Sequence, residues 1–100
     1  MGDAPPRTRA IVTGSSRPAL PPHIKLRHDA GRGKWLVLAP ERIFEPDDVA
    51  VAVLKLCDGV RSVDDIAGEL AREYNAPKQE IVADIAAMLQ DLADKGVVTA

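Results

Sequence analysis

The tightest constraint on this chain is the joint Leu56-Cys57-Asp58-Gly59, followed shortly by Ser62-x-x-Asp65. Glycine enters the left-handed C′ conformation without a Cβ clash, so Asp58-Gly59 reads as the stop of one helix. In the S-x-x-D pattern a hydroxyl accepts an orphan backbone N–H of the next helix, so Ser62 reads as its start. Two helices therefore meet across a turn of about three or four residues, as in a helix-turn-helix. Any small helical domain needs such a turn, so the joint fixes local geometry before it fixes a function.

Upstream of the joint the pattern is that of strands. Pro18 to Pro22 is extended by its prolines. His23 to Arg27 alternates polar and apolar residues, with Ile24 and Leu26 predicted to point inward. Asp29 to Lys34 is a glycine-containing turn, and Trp35-Leu36-Val37-Leu38 is nearly continuous apolar sequence, which predicts a central strand covered on both faces. Pro40-Glu41 breaks that run. Arg42-Ile43-Phe44-Glu45 then forms a short third strand closed by Pro46, so the three make an antiparallel meander whose last strand is a free edge.

Downstream the period changes to that of helices. The first runs from Asp47 to Cys57, capped by Asp47 or Asp48, with Val49, Val53 and Leu56 or Cys57 on one stripe. The second, Ser62 to Tyr74, places Val63, Ile66, Ala67, Leu70 and Tyr74 at helical spacing. Asn75-Ala76-Pro77 ends it, and Pro77 opens a third helix that runs to Lys95 before Gly96. Ile81, Val82, Ile85, Ala86, Met88, Leu89 and Leu92 give this helix a broad apolar arc, enough to pack on the other helices and still cover the strands. The fold class is α+β: a three-stranded antiparallel sheet followed by a three-helix, winged helix-turn-helix-like bundle. Residues 1–17 carry Ile11-Val12 as their one apolar pair and read as a flexible N-terminal tail or linker ahead of a domain at 18–100.

Several function classes fall away. One hundred residues support one domain with a modest core, too small for a large enclosed active site. The single cysteine, Cys57, excludes an internal disulfide and multi-cysteine zinc patterns, which favours a reducing cytoplasm; on a buried helix face it reads as an inert core thiol. No stretch reaches the roughly 18 apolar residues of a membrane span, and neither a secretory start nor a myristoylation pattern is present. His23 and His28 lack the partners of a metal site, and Gly31-x-Gly33 lies in a hairpin rather than between a strand and a helix, where a phosphate loop belongs. The carboxylates Asp47-Asp48 and Asp64-Asp65 sit in first helical turns, where the macrodipole accounts for them. No catalytic constellation, metal site or cofactor site emerges.

The competing function for this architecture is DNA binding through a winged helix. The third helix argues against a nucleic-acid partner, since Glu80, Asp84, Asp91 and Asp94 outnumber Lys78 and Lys95 and a recognition helix must approach phosphates. What remains is recognition of a chain. A free edge strand beside a helix with spare apolar surface is a site for strand addition, in which a guest peptide satisfies the edge backbone groups and places alternate side chains in the groove. That groove is expected between Arg42, Ile43, Phe44 and Glu45 on one side and Val82, Ile85 and Leu89 on the other. The plainer reading makes Val82, Ile85 and Leu89 core residues and Arg42 and Glu45 charges that discourage edge aggregation.

Pro18-x-Leu20, His28-Asp29, Trp35, Pro40-Glu41, Leu54-Lys55-Leu56-Cys57-Asp58-Gly59, R-S-V-x-x-I-x-x-E-L from Arg61 to Leu70, and Gly96-Val97-Val98 occur here in an order and spacing that resemble the PqqD family. The resemblance spans residues 18 to 98. One departure is Pro46-Asp47, where many relatives carry Leu-Asn; the cap chemistry survives because Asp replaces Asn. PqqD-like proteins are peptide-recognition domains of pyrroloquinoline quinone (PQQ) biosynthesis. They hold the precursor peptide PqqA as an extra strand between the third strand and the third helix, and present it to the radical SAM enzyme PqqE, which joins a Glu to a Tyr of that peptide. The resemblance thus implies a chaperone without catalytic residue or cofactor, and residues 1–17 resemble either the remnant of a linker to a fused pathway enzyme or an appended tail. It also implies a second surface for the enzyme, expected on the exposed helix charges Lys55, Arg61, Asp64 and Arg72.

Overall fold

The computed structural model describes residues 11–100. Three strands, β1 (Lys25–Asp29), β2 (Lys34–Ala39) and β3 (Arg42–Phe44), form an antiparallel sheet in the order β1-β2-β3. Each hairpin turn has a chemical cause. The Asp29 carboxylate accepts hydrogen bonds from the Gly31 and Arg32 amides, and Gly33 completes the reversal at φ +67°. In the second turn Glu41 takes the left-handed conformation at φ 62°, which is uncommon for a residue with a Cβ.

Register decides which side chains meet. Leu26 lies opposite Val37, and Phe44 lies opposite Val37 on the other side, so all three share the inner face. Val37 is 2% exposed, and Leu26, Ala39 and Phe44 pack against the core. The alternate residues Leu36 and Leu38 point the other way, stay half-buried and do not pack on the core. β2 is central as expected, but only one of its faces is covered by the helices; the apolar run marks one core face and one apolar outer face.

Three helices follow: α1 (Asp48–Lys55), α2 (Val63–Tyr74) and α3 (Lys78–Asp94). Asp47 caps α1 by accepting from the Ala50 amide at 2.8 Å. Val51, Val53 and Leu54 are buried, whereas Val49 is 51% exposed, so the buried stripe is rotated from the one the spacing predicted. Helix α1 ends at Lys55, ahead of the predicted stop. The left-handed Gly59 (φ +79°) serves the connection instead: its amide donates to the Pro18 carbonyl, and an added Cβ would lie 3.4 Å from that of Ala19. Ser62 and Asp65 form a reciprocal capping box at the start of α2, each bond 3.0 Å long. Gly96 closes α3 in a Schellman arrangement, its amide bonding Ala93 and that of Val97 bonding Leu92.

Ile24, Val37, Val53, Leu54, Val63, Ile66, Ala67, Leu70, Ile85, Leu89, Val97 and Val98 build the core between the sheet and the helices. Val12 belongs to it too, at 8% exposure, with its amide donating to the Gln90 side chain. The Gly14 and Ser16 carbonyls accept from the Asp64 and Val63 amides, two of the orphan donors of α2. Residues 11–17, assigned on composition to a tail, thus lie packed across the start of α2, since Val12 supplies enough apolar area to anchor the segment. Positions 1–10 of that segment lie outside the described residues. Ala19 bridges to both Asp58 and Thr99, which ties the helix joint to the end of the chain.

Candidate functional site

No other strand pairs with the far edge of β3 among the described residues. Arg42 and Phe44 project to the inner side of this edge, as the register with Ala39 and Val37 requires. The Arg42 guanidinium donates to the Lys95 carbonyl at 2.9 Å, and its carbon lies 5.2 Å from the Phe44 ring centroid. One side chain therefore links the edge strand to the C-terminus of α3. Between them opens a cleft of about 210 Å³, floored by Val37, Leu54 and Val97 and walled by Phe44, Glu45 and Pro46 on one side and Met88, Asp91 and Leu92 on the other.

Met88 also lines a second apolar cleft, of about 230 Å³, with Val49, Tyr74, Ile81, Asp84 and Ile85. The two clefts make a trough along α3 that passes the start of α1. Its walls are apolar, and its rim carries the carboxylates of Asp84, Asp91 and Glu45. Asp91 is engaged by Lys95 at 2.8 Å and Glu45 by Lys34 at 3.3 Å.

The predicted groove residues fall into distinct positions. Phe44 and Glu45 line the trough, whereas Arg42 does not line it and instead reaches over the Phe44 ring to the Lys95 carbonyl. Ile43 is 67% exposed and opposite Leu38, so its backbone lies on the edge while its side chain is on the outer sheet face. Ile85 and Leu89 are sealed at 2% and 0% exposure, with Leu89 wholly in the core. Val82 is half-buried and packs on the core, about 120° around α3 from Met88 at 100° per residue. The residues that α3 offers to the cleft beside β3 are thus Met88, Asp91 and Leu92, while Ile81, Asp84 and Ile85 line the second cleft. Met88 and Leu92 belong to the apolar arc legible in the sequence; what periodicity lacked was the rotation of that arc relative to β3.

The predicted partner surface is divided as well. Arg61, Asp64 and Arg72 line one charged cleft of about 390 Å³ on α2, whereas Lys55 sits 4.3 Å from the Trp35 ring centroid beside another cleft. Arg61 is occupied internally, bonding Glu69 at 2.7 Å and Asp58 at 2.6 Å, and the bond to Glu69 raises its pKa further. The Arg61 and Val60 amides hold the Asp58 carboxyl below its usual range. These contacts brace the joint between α1 and α2.

Cys57 is buried, its thiol donates to the Val53 carbonyl at 3.2 Å, and burial, with a smaller contribution from the Asp58 charge, pushes its pKa up to about 12. At neutral pH that thiol is protonated and unreactive. Among the described residues no group of three or more His, Cys, Asp or Glu side chains is placed to hold a metal ion, and no helix is long and apolar enough to cross a membrane.

The family model for coenzyme PQQ synthesis protein D (PqqD) matches residues 34–98. The chain belongs to the PqqD family. It is 58% identical over 88 residues to a protein of Rhodopseudomonas palustris (strain BisB5) named PqqA binding protein, covering 88% of this chain and 86% of the relative. A protein of the same name from Bradyrhizobium diazoefficiens is 54% identical over 88 residues, covering 88% of this chain and 85% of that one. Among solved structures, the solution structure of the PqqD truncation of Methylobacterium extorquens PqqCD superimposes with a TM-score of 0.78 at 48% identity, covering 89% of this chain and 95% of that one. That PqqD domain is described as a functional, stand-alone recognition element for ribosomally synthesised and post-translationally modified peptides. PqqD from Xanthomonas campestris matches with a TM-score of 0.57 at 37% identity, over 89% of this chain and 99% of that one.

Proposed function

We propose that this protein is a non-catalytic peptide chaperone of PQQ biosynthesis, acting in the cytoplasm, that holds the precursor peptide PqqA as an added strand along β3 and presents it to the radical SAM enzyme PqqE. The observation that carries this reading is the edge of β3, which no other strand among the described residues pairs with, beside an apolar trough on α3. An extended peptide there satisfies the edge N–H and C=O groups, and its inward side chains have Phe44, Met88 and Leu92 to pack against. The PqqA binding proteins among its relatives support the choice of guest. Chemistry on the peptide then falls to the partner, and this chain supplies orientation.

Calorimetric titration of the protein with PqqA, and separately with duplex DNA, tests the proposal. Saturable binding of the peptide with a negative heat-capacity change, and none of the DNA, is the expected result. Binding of DNA without binding of the peptide overturns it.

A further inference from the structure

Among the described residues methionine occurs once, at Met88, and it stands where the two clefts of the trough meet. Met88 is half-buried: it packs against the core and also lines both clefts, so solvent in the trough reaches its side chain. The other sulfur of the described residues belongs to Cys57, which is 7% exposed and, with a pKa pushed up to about 12, a protonated thiol. Two-electron oxidants such as hydrogen peroxide attack thiolates and accessible thioethers, so they act on Met88 and pass Cys57 by. The surroundings of Met88 suit a thioether better than its oxide. Phe44, Ile81 and Leu92 offer apolar contact, and the charged groups lining the clefts are Asp84, Asp91 and Glu45, which only accept hydrogen bonds when ionised. Tyr74 carries the one side-chain donor among the lining residues, and it is 51% exposed.

We propose that Met88 is a site of modification by peroxide, and that its oxidation to the sulfoxide reversibly lowers the affinity of the trough for the guest peptide. The sulfur lone pair attacks one peroxide oxygen and the O–O bond breaks. The departing hydroxide takes up the proton of the transferred oxygen, so thioether and hydrogen peroxide give sulfoxide and water, with sulfur oxidised by two electrons. The new oxygen is an acceptor set between two acceptors, Asp84 and Asp91, about one turn to either side on the same helix face. In the empty protein the trough is open and water solvates that oxygen, so the fold tolerates it. A guest side chain laid on Met88 removes the water and leaves Tyr74 as the one lining side chain able to donate to the sulfoxide. A bond to Tyr74 draws the oxidised side chain across the second cleft and obstructs the trough, so affinity falls in either arrangement. Binding and oxidation are thereby linked, the peptide shielding the sulfur and the oxide weakening the peptide. Methionine sulfoxide reductase with a dithiol returns the thioether, releasing water and leaving the dithiol as a disulfide. The change in affinity rests on the strand-addition reading given above; the oxidation itself does not.

The test treats the full chain with hydrogen peroxide, with and without saturating PqqA. Mass spectrometry with peptide mapping follows the gain of one oxygen atom at Met88 and separates it from Met1, and far-UV spectra check the fold. PqqA affinity is measured before treatment, after treatment, and after methionine sulfoxide reductase with a dithiol. Met88→Leu cannot be oxidised and keeps the volume of the site, so its own affinity serves as its baseline; Cys57→Ala removes the thiol. Oxidation of Met88 in the folded protein, slowed by bound PqqA, is expected. The oxidised protein is expected to remain folded and to bind PqqA about tenfold or more weakly, with recovery on reduction. Peroxide should leave the affinity of Met88→Leu where it began and lower that of Cys57→Ala as it does for wild type. A Met88 that gains oxygen only when the chain is unfolded overturns the proposal, and so does a folded, Met88-oxidised protein that binds PqqA as the untreated one does. A loss of affinity that persists in Met88→Leu assigns the effect to another residue and overturns it as well. Failure of the untreated wild type to bind PqqA counts instead against the strand-addition reading, and the mass measurement then decides the modification site by itself.

Discussion

Leu89 and Met88 are neighbours on α3, and replacing each by aspartate separates what that helix does for the fold from what it does for a guest. Leu89 is 0% exposed. Removing its side chain alone costs about 2–5 kcal/mol, and an unpaired carboxyl in the same space adds a further desolvation cost. A chain of this size has roughly 5–15 kcal/mol of total stability, so Leu89→Asp consumes most or all of it. Met88 is half-buried and borders both clefts. Met88→Asp loses part of one side chain's burial, about 1–2 kcal/mol, and adds like-charge contacts with Asp84 and Asp91 of about 0.2–0.5 kcal/mol each. That variant should remain folded with a lowered melting temperature. Its apolar trough is broken by a charge, and PqqA affinity should fall by about tenfold or more. Far-UV circular dichroism with thermal melting reads the first effect and peptide calorimetry the second. A folded Met88→Asp protein that binds PqqA as wild type does refutes the placement of the trough, and a stably folded Leu89→Asp protein refutes the placement of the core.

Three further outcomes follow from the same contacts. Val12→Ala removes two buried methyl groups and should cost about 2 kcal/mol, lowering the melting temperature by roughly 8–16 °C, while Ile11→Ala at a 62% exposed position leaves it nearly unchanged; equal melting temperatures for the two variants contradict the packing of residues 11–17. Cys57 should resist alkylation in the native protein at neutral pH and react on unfolding, and because its folded pKa of about 12 exceeds the ordinary 9.0, its contribution to stability is complete below pH 9 and lost as pH climbs toward 12; a Cys57→Ala protein with the same alkaline stability profile argues against that assignment. Hydrogen bonds from Ser62 hold the Asp65 carboxyl below its usual range, so its stabilisation is present above the unfolded value near pH 4 and lost as pH falls through the folded value. Asp65→Asn should therefore flatten the acid limb of a melting-temperature curve, a change absent if the capping box does not form.

Local chemistry was legible where a residue type has one dominant physical use. Asp47, the Ser62/Asp65 box, the stop before Pro77 and the Gly96 closure all appear where the sequence placed them, because caps and stops depend on neighbouring residues alone. The meander and the edge position of β3 followed from turn residues and alternation in the same way. Rotation about an element axis was not legible. The same apolar arc on α3 serves equally well with Leu89 or with Met88 toward β3, and only the packing of α3 on α2 selects between them. The run Trp35 to Leu38 likewise signals apolar surface without saying whether each face is covered. Residues 11–17 escaped notice because their order depends on contacts with Gln90, Val63 and Asp64, all distant in sequence.

Backbone amide shifts of isotope-labelled protein titrated with PqqA test the central claim most directly. Strand addition predicts shifts concentrated at Arg42 to Glu45 and at Met88, Asp91 and Leu92, with the buried Ile85 and Leu89 responding less and the α2 cleft around Arg72 silent. Shifts centred on α2, with β3 unperturbed at saturation, contradict it.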